Sequence, residues 1–227
     1  HYMFNQLPIN PAVAGKNQAL DATLLYRNQW TGVEGNPSTI SLSVHSPLNI
    51  ANSSAGLYIV HDRLGAQRTN YVMLSYAYRL NLKFGDLAFG LNAGIVQKSI
   101  DGSILRAPQG NYEGGIDHQD DFIPNSVQSA IAPELGLGVY LNTEKYFAGL
   151  SVQNLMESRL GLTTQAGSSD IRLGRTYQAL GGYNIPLNTK LTLTPSALYK
   201  TDLALHQIDF SVLMDYKNNI WGGASFR

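Results

Sequence analysis

QIDFSVLMDYK, from Gln207 to Lys217, alternates along almost its whole length. Ile208, Phe210, Val212, Met214 and Tyr216 take one side. Gln207, Asp209, Ser211, Asp215 and Lys217 take the other, and Leu213 is the only breach. A period of two belongs to a strand whose faces meet different surroundings. Ile131 to Asn142 repeats the pattern, with Ile131, Leu135, Leu137, Val139 and Leu141 opposed to Glu134, Gly136, Gly138 and Asn142. In Leu87 to Val96, Leu87, Phe89, Leu91 and Ile95 oppose Gly90, Asn92 and Gly94. Strands of a soluble sandwich usually run about 5 or 6 residues. These runs reach roughly 9–12, the length a tilted strand needs to cross a bilayer. The expected fold is all-β: a transmembrane antiparallel β-barrel, apolar outside and polar or glycine-lined inside.

Composition agrees. Charged residues make up 14% of the 227-residue chain, against about 25% in ordinary soluble domains, while Gly (22) and Tyr (13) are abundant. No stretch approaches the ~18 uninterrupted apolar residues of a spanning helix, so a membrane location requires strands. Sixteen basic and sixteen acidic residues leave no electrostatic footprint for nucleic acid. The absence of cysteine suits an oxidising compartment among others.

The alternation places about 11 strands at 19–30, 38–46, 55–62, 69–82, 86–97, 129–142, 145–154, 172–187, 189–200, 205–217 and 219–227, with boundaries loose by ~2–4 residues. Tight turns fall at Lys83–Gly85, Thr143–Glu144, near Asn188 and at Asn218. Long connections fall at 98–128 and 155–171. Short periplasmic turns and long outer loops are the habit of outer-membrane barrels, and counting back puts the first strand's start on the periplasmic side. The eleventh strand then leaves an edge open, which lipid does not tolerate, so about three more strands (about 14 in the full protein) are expected to close the wall. Residues 1–18, with Pro8 and Pro11 close together, form neither helix nor central strand. They are expected to be an ordered luminal or periplasmic segment ahead of a barrel over 19–227.

Few residues suggest chemistry. Ser41, Ser43 and His45 share the polar face of one strand, but no third group is visible to orient a base, so a luminal polar network is the simpler reading. His61-Asp62-Arg63 reads as a charged rim. Asp117, His118, Asp120 and Asp121 cluster in the long connection. They lack EF-hand spacing, and a solvated or partner-contacting loop is preferred to a calcium site. The paired glycines at Gly136/Gly138, Gly181/Gly182 and Gly222/Gly223 fall within strands and read as close wall packing rather than a phosphate loop. Trp30 and Trp221 are expected in the interfacial girdle. Arg27, Asn92, Glu134, Gln153, Asp209, Asp215 and Lys217 are expected to face inward, lining a pore or bonding a plug.

Several stretches resemble one family. HYMFNQLPINPAVAG (His1–Gly15), RNQWTGVEGNPSTISLSVHSPL (Arg27–Leu48), GLYIVHDRLG (Gly56–Gly65), LGRTYQALGGYNI (Leu173–Ile185) and DYKNNIWGGASFR (Asp215–Arg227) look like the PorP/SprF membrane proteins of the type IX secretion system in Bacteroidota. The resemblance implies a non-enzymatic protein of the Gram-negative cell outer membrane, without cofactor or metal. It further implies support for secretion and surface attachment of large gliding-type adhesins. The partners implied are outer-membrane lipid, the C-terminal domain of such an adhesin, and periplasmic or peptidoglycan-bound components of the system. A channel for small-molecule uptake is the alternative. The residues expected to dock the adhesin are Ile104, Leu105, Tyr112, Asp117, Asp120, Asp121, Phe122 and Ile123, which mix apolar groups with acids as a protein interface does.

Overall fold

The computed structural model describes residues 2–50, 52–164, 167–217 and 220–226, without the side chains of 162–164 and 167–169. Fourteen strands follow one another: β1 (Asp21–Asn28), β2 (Ser38–Pro47), β3 (Ser53–Leu64), β4 (Gln67–Leu82), β5 (Gly85–Asp101), β6 (Val127–Asn142), β7 (Tyr146–Gln153), β8 (Arg159–Thr164), β9 (Gly167–Arg172), β10 (Thr176–Tyr183), β11 (Ile185–Asn188), β12 (Leu191–Thr201), β13 (His206–Tyr216) and β14 (Ile220–Phe226). Twelve of them make one antiparallel sheet in the order β1 to β7, β10, β12, β13, β14, with β11 pairing β12 off this path. The sheet is not closed, and β1 and β14 are its two edges. None of the described helical turns could cross a membrane.

Burial along β2, β4 to β7 and β13 is that of a soluble protein turned inside out. Leu74, Leu91, Ile131, Leu137, Leu150 and Phe210 are exposed, while Ser43, Ser75, Asn92, Glu134, Ser151 and Asp209 are buried. Every strand pair satisfies its backbone groups through the ladder, which is what allows such a wall to stand in hydrocarbon. Leu213, the breach in the alternation, turns inward opposite Gly223, which has no side chain to compete for the space.

The greasy exterior ends at a defined height. On the outside of β3 to β6, Asn70 donates to Gln97 Oε1 (3.2 Å) and Gln97 to Ser129 Oγ (3.0 Å), with His61 Nδ1 against Asn70 Oδ1. Above this polar ladder β4, β5 and β6 continue. At 16, 17 and 16 residues they exceed the ~9–11 that a bilayer requires, so they stand clear of it and carry the longest loop.

The short turns at 83–84, 143–145 and 189–190 share one end of the wall, as the alternation requires, and Asn218 lies outside the described residues. The opposite end holds the connections 29–37, 102–126, 154–175 and 202–205, together with a two-residue turn at Gly65–Ala66. Four expectations need correction. The connection 155–171 is no bare loop, because β8 and β9 form a hairpin within it. The single strand expected over 172–187 is divided: β9 ends at Arg172, β10 starts at Thr176, and Asn184 separates β10 from β11. Lys217 lies past β13 at φ 55°, its Nζ 5.5 Å from the centre of the Tyr216 ring, and does not line the interior. Trp221 is opposite Asp215 in the β13–β14 register and so faces inward, where its ring lies 4.5 Å from that of Phe4. It is not an interfacial girdle residue. Trp30 stands exposed beyond β1.

Candidate functional site

The inner face is occupied by the chain's own N-terminus. Pro8 and Pro11 keep residues 2–16 out of the sheet, and Asn10 caps a 3-10 turn at Pro11–Val13 by accepting from Ala12 N–H. The segment then bonds around the wall. Tyr2 Oη meets Ser196 Oγ on β12 (3.1 Å), Asn5 donates to Ser41 Oγ (3.1 Å), and Ser43 donates to Asn5 Oδ1 (2.8 Å). Asn10 Nδ2 reaches the carbonyls of Val139 (3.0 Å) and Leu150 (3.2 Å), and Ser151 and Gln153 both donate to Ile9 O. Contacts from β2 across to β12 mean that the sheet curls around this segment. Gly15 N–H donates to His45 Nδ1 (3.2 Å), so Ser41, Ser43 and His45 are each engaged by the N-terminal segment.

Of the residues expected inward, Asn92, Glu134, Gln153 and Asp209 are buried there. Asn92 Nδ2 donates to both Tyr58 Oη (3.1 Å) and Gln153 Oε1 (3.0 Å). Arg27 and Asp215 lie in register with Thr39 and Trp221 on strands of the same wall. Beyond Pro8 a cavity of about 230 Å³ opens between Tyr58, Tyr71, Glu134 and Gln178. On the long-loop side the β8–β9 hairpin folds over the wall. Leu160 and Leu173 are buried against Val96 and Ala132, with Tyr71 alongside. The N-terminal segment therefore occupies the interior at the short-turn side, and the hairpin covers the inner face of β5 and β6 at the other.

The long connection 102–126 has a folded centre that the sequence did not reveal. His118, in the middle of the acidic cluster, is 1% exposed. Its Nδ1 lies 3.0 Å from Tyr112 Oη and its Nε2 3.0 Å from the carbonyl of Gly102. Ala107 N–H donates to the same tyrosine oxygen (2.6 Å), Arg106 stacks 4.5 Å over the Tyr112 ring, and Asn111 pairs with Asp117. Of the expected docking residues, Tyr112 is thus half-buried and engaged in this centre, and Leu105 and Ile123 are half-buried. Ile104, Asp117, Asp120, Asp121 and Phe122 are exposed, Phe122 at 75%. Asp117 and Asp120 accept from the backbone N–H groups of Gln119 and Phe122, which shapes the turns. Among the described residues no group of three or more His, Asp or Glu is placed to hold a metal ion.

An antiparallel wall, apolar outside, polar inside and wrapped around its own N-terminus, defines a membrane protein of the β-barrel class. The chain belongs to the PorP/SprF family: the profile described as "Type IX secretion system membrane protein PorP/SprF" matches residues 1–227. That is a family of secretion-system components and not of enzymes. No curated protein matches the chain.

Proposed function

We propose that this protein is a non-enzymatic outer-membrane partner in type IX secretion that holds a large adhesin at the cell surface by its C-terminal domain. The observation that supports this reading is the built centre of the 102–126 loop. A disordered lid has no reason to bury a histidine between a tyrosine and a backbone carbonyl. A rigid loop that displays Ile104 and Phe122 beside Asp117, Asp120 and Asp121 suits an interface with apolar anchors and a polar rim. The opposite mouth would meet periplasmic or peptidoglycan-bound components. A small-molecule channel is less favoured, because the N-terminal segment bonds across the interior from β2 to β12 and the β8–β9 hairpin packs over β5 and β6.

The test shortens 104–123 to a Gly-Ser linker in the full-length protein. The barrel should still assemble and general secretion continue, while the adhesin disappears from the surface and no longer co-purifies. An adhesin that stays attached would remove the loop from the mechanism.

A further inference from the structure

At the short-turn mouth β4 carries Arg79, which is 8% exposed. Its Nη2 donates to the carbonyl of Ala14 (3.2 Å), and among the described residues no carboxylate lies within 4 Å of it. Asp21, on the same rim, is engaged by Asn17 and Thr23. One carbonyl leaves most of the five donors of this guanidinium unsatisfied by protein, and none of its nitrogens is both buried and without a partner, so the remaining donors face open space. The free donors border a cavity of about 410 Å³, which Gln18, Asn49, Asn52, Ser54 and Asn81 also line. This lies within the ~300–1,000 Å³ typical of small-ligand sites.

The geometry points to a carboxylate-binding site at this mouth, with the guanidinium of Arg79 as its anchor. A carboxylate matches the fork of a guanidinium in shape and its charge in magnitude. A phosphate dianion would leave a residual negative charge in the recess. The amide side chains around the cavity offer both donors and acceptors, so a carboxylate on a peptide-like body suits it better than one on a hydrocarbon chain. The site is separate from the outer loop and does not depend on adhesin docking.

The full-length protein in detergent is titrated with N-acetylglycine, with N-acetylglycinamide as the uncharged control, and with inorganic phosphate, by ligand-observed NMR. N-acetylglycine should bind and the amide should not. Arg79→Met should weaken binding by about tenfold or more, and Arg79→Lys less, since it keeps the charge and loses the fork. Gln18→Glu, an exposed change that leaves the wall untouched, should weaken binding by placing a like charge at the entrance. It also keeps the test decisive if the Arg79 variants do not fold. Equal binding of acid and amide, unchanged binding in a folded Arg79→Met or Gln18→Glu protein, or tighter binding of phosphate than of N-acetylglycine would each overturn the assignment.

Discussion

A Cβ placed on Gly90 would stand 2.1 Å from the backbone nitrogen of Ala12. The same addition at Gly138 would fall 2.0 Å from Asn10 Oδ1. Two glycines on neighbouring strands therefore let the N-terminal segment lie directly on the wall: at Gly90 backbone meets backbone and nothing flexible can give way, and at Gly138 the wall meets the Asn10 side chain. Gly90→Val is expected to destabilise the folded protein by about 1–3 kcal/mol, the usual range for forced overpacking. Trypsin should then cut sooner after Lys16, whose Nζ donates to Gln6 in the seated segment. Leu91→Val, one residue along on the exposed side, serves as the control. Unchanged cleavage and an unchanged unfolding midpoint in Gly90→Val would show that the segment does not press on the wall.

Turn lengths set the orientation, and the chain's lack of cysteine makes it easy to probe. Single cysteines at Asp120 and Ala204, both exposed at the long-loop end, should react with an impermeant thiol reagent on whole cells. Cysteines at Glu144 and Lys190, exposed at the short-turn end, should react only after lysis. Labelling at Glu144 on intact cells would invert the protein.

Alternation exposed most of the wall, because a half-lipid, half-polar strand writes its environment into every second residue. It failed where that contrast fades. The segment Arg159 to Arg172 is rich in Gly, Ser and Thr, so β8 and β9 passed for loop even though Leu160 and Leu173 are buried. Trp221 was misplaced because the direction it faces depends on the β13–β14 register, which hydrophobicity does not encode. For residues 1–18 the sequence reading stopped at an ordered luminal or periplasmic segment, without its seat. The contacts that fix it, such as Asn10 with Val139, join positions far apart in the chain. In the outer loop the acids were plain and the buried His118 was not, since its partners Gly102 and Tyr112 carry no periodic signal.

Acid should loosen the hairpin. Its hydrogen bond from Arg172 holds the Glu157 carboxyl below its ordinary range, and the nearby charge of Arg175 adds to this. A carboxyl depressed in the folded state contributes stability that is fully present above its unfolded value. That contribution is lost as pH falls through the folded value, hence below about pH 4. The groups lie at the surface, so the effect is local and should shrink in high salt. Amide exchange at Leu173, whose N–H donates to Ser158 O (3.0 Å), reports it directly. Protection relative to the intrinsic rate should fall on acidification in the wild type. In Glu157→Gln it should be low and flat with pH; a wild-type response preserved in that variant would assign the effect to another group.

The outer loop allows order to be separated from contact. Gly102 offers only a carbonyl, so His118 Nε2 must carry the proton, and Nδ1 is then free to accept from Tyr112 Oη. His118→Ala removes both bonds, leaving the Gly102 carbonyl with the Leu105 N–H alone and the Tyr112 oxygen with the Ala107 N–H alone, a local cost of about 0.5–1.5 kcal/mol per lost bond. The wall makes neither bond, so the unfolding midpoint of the barrel should not move. Residues 104–123 should lose exchange protection, and binding of the adhesin's C-terminal domain should weaken even though a buried histidine cannot touch a partner. Phe122→Ala should weaken binding with the loop still protected, because it removes an exposed anchor and no internal bond. His118→Gln, which can still donate to the Gly102 carbonyl, should restore part of both protection and binding. If His118→Ala frees the loop and binding is unaffected, the ordered centre serves something other than docking, and Phe122 would then be a surface residue without a partner role.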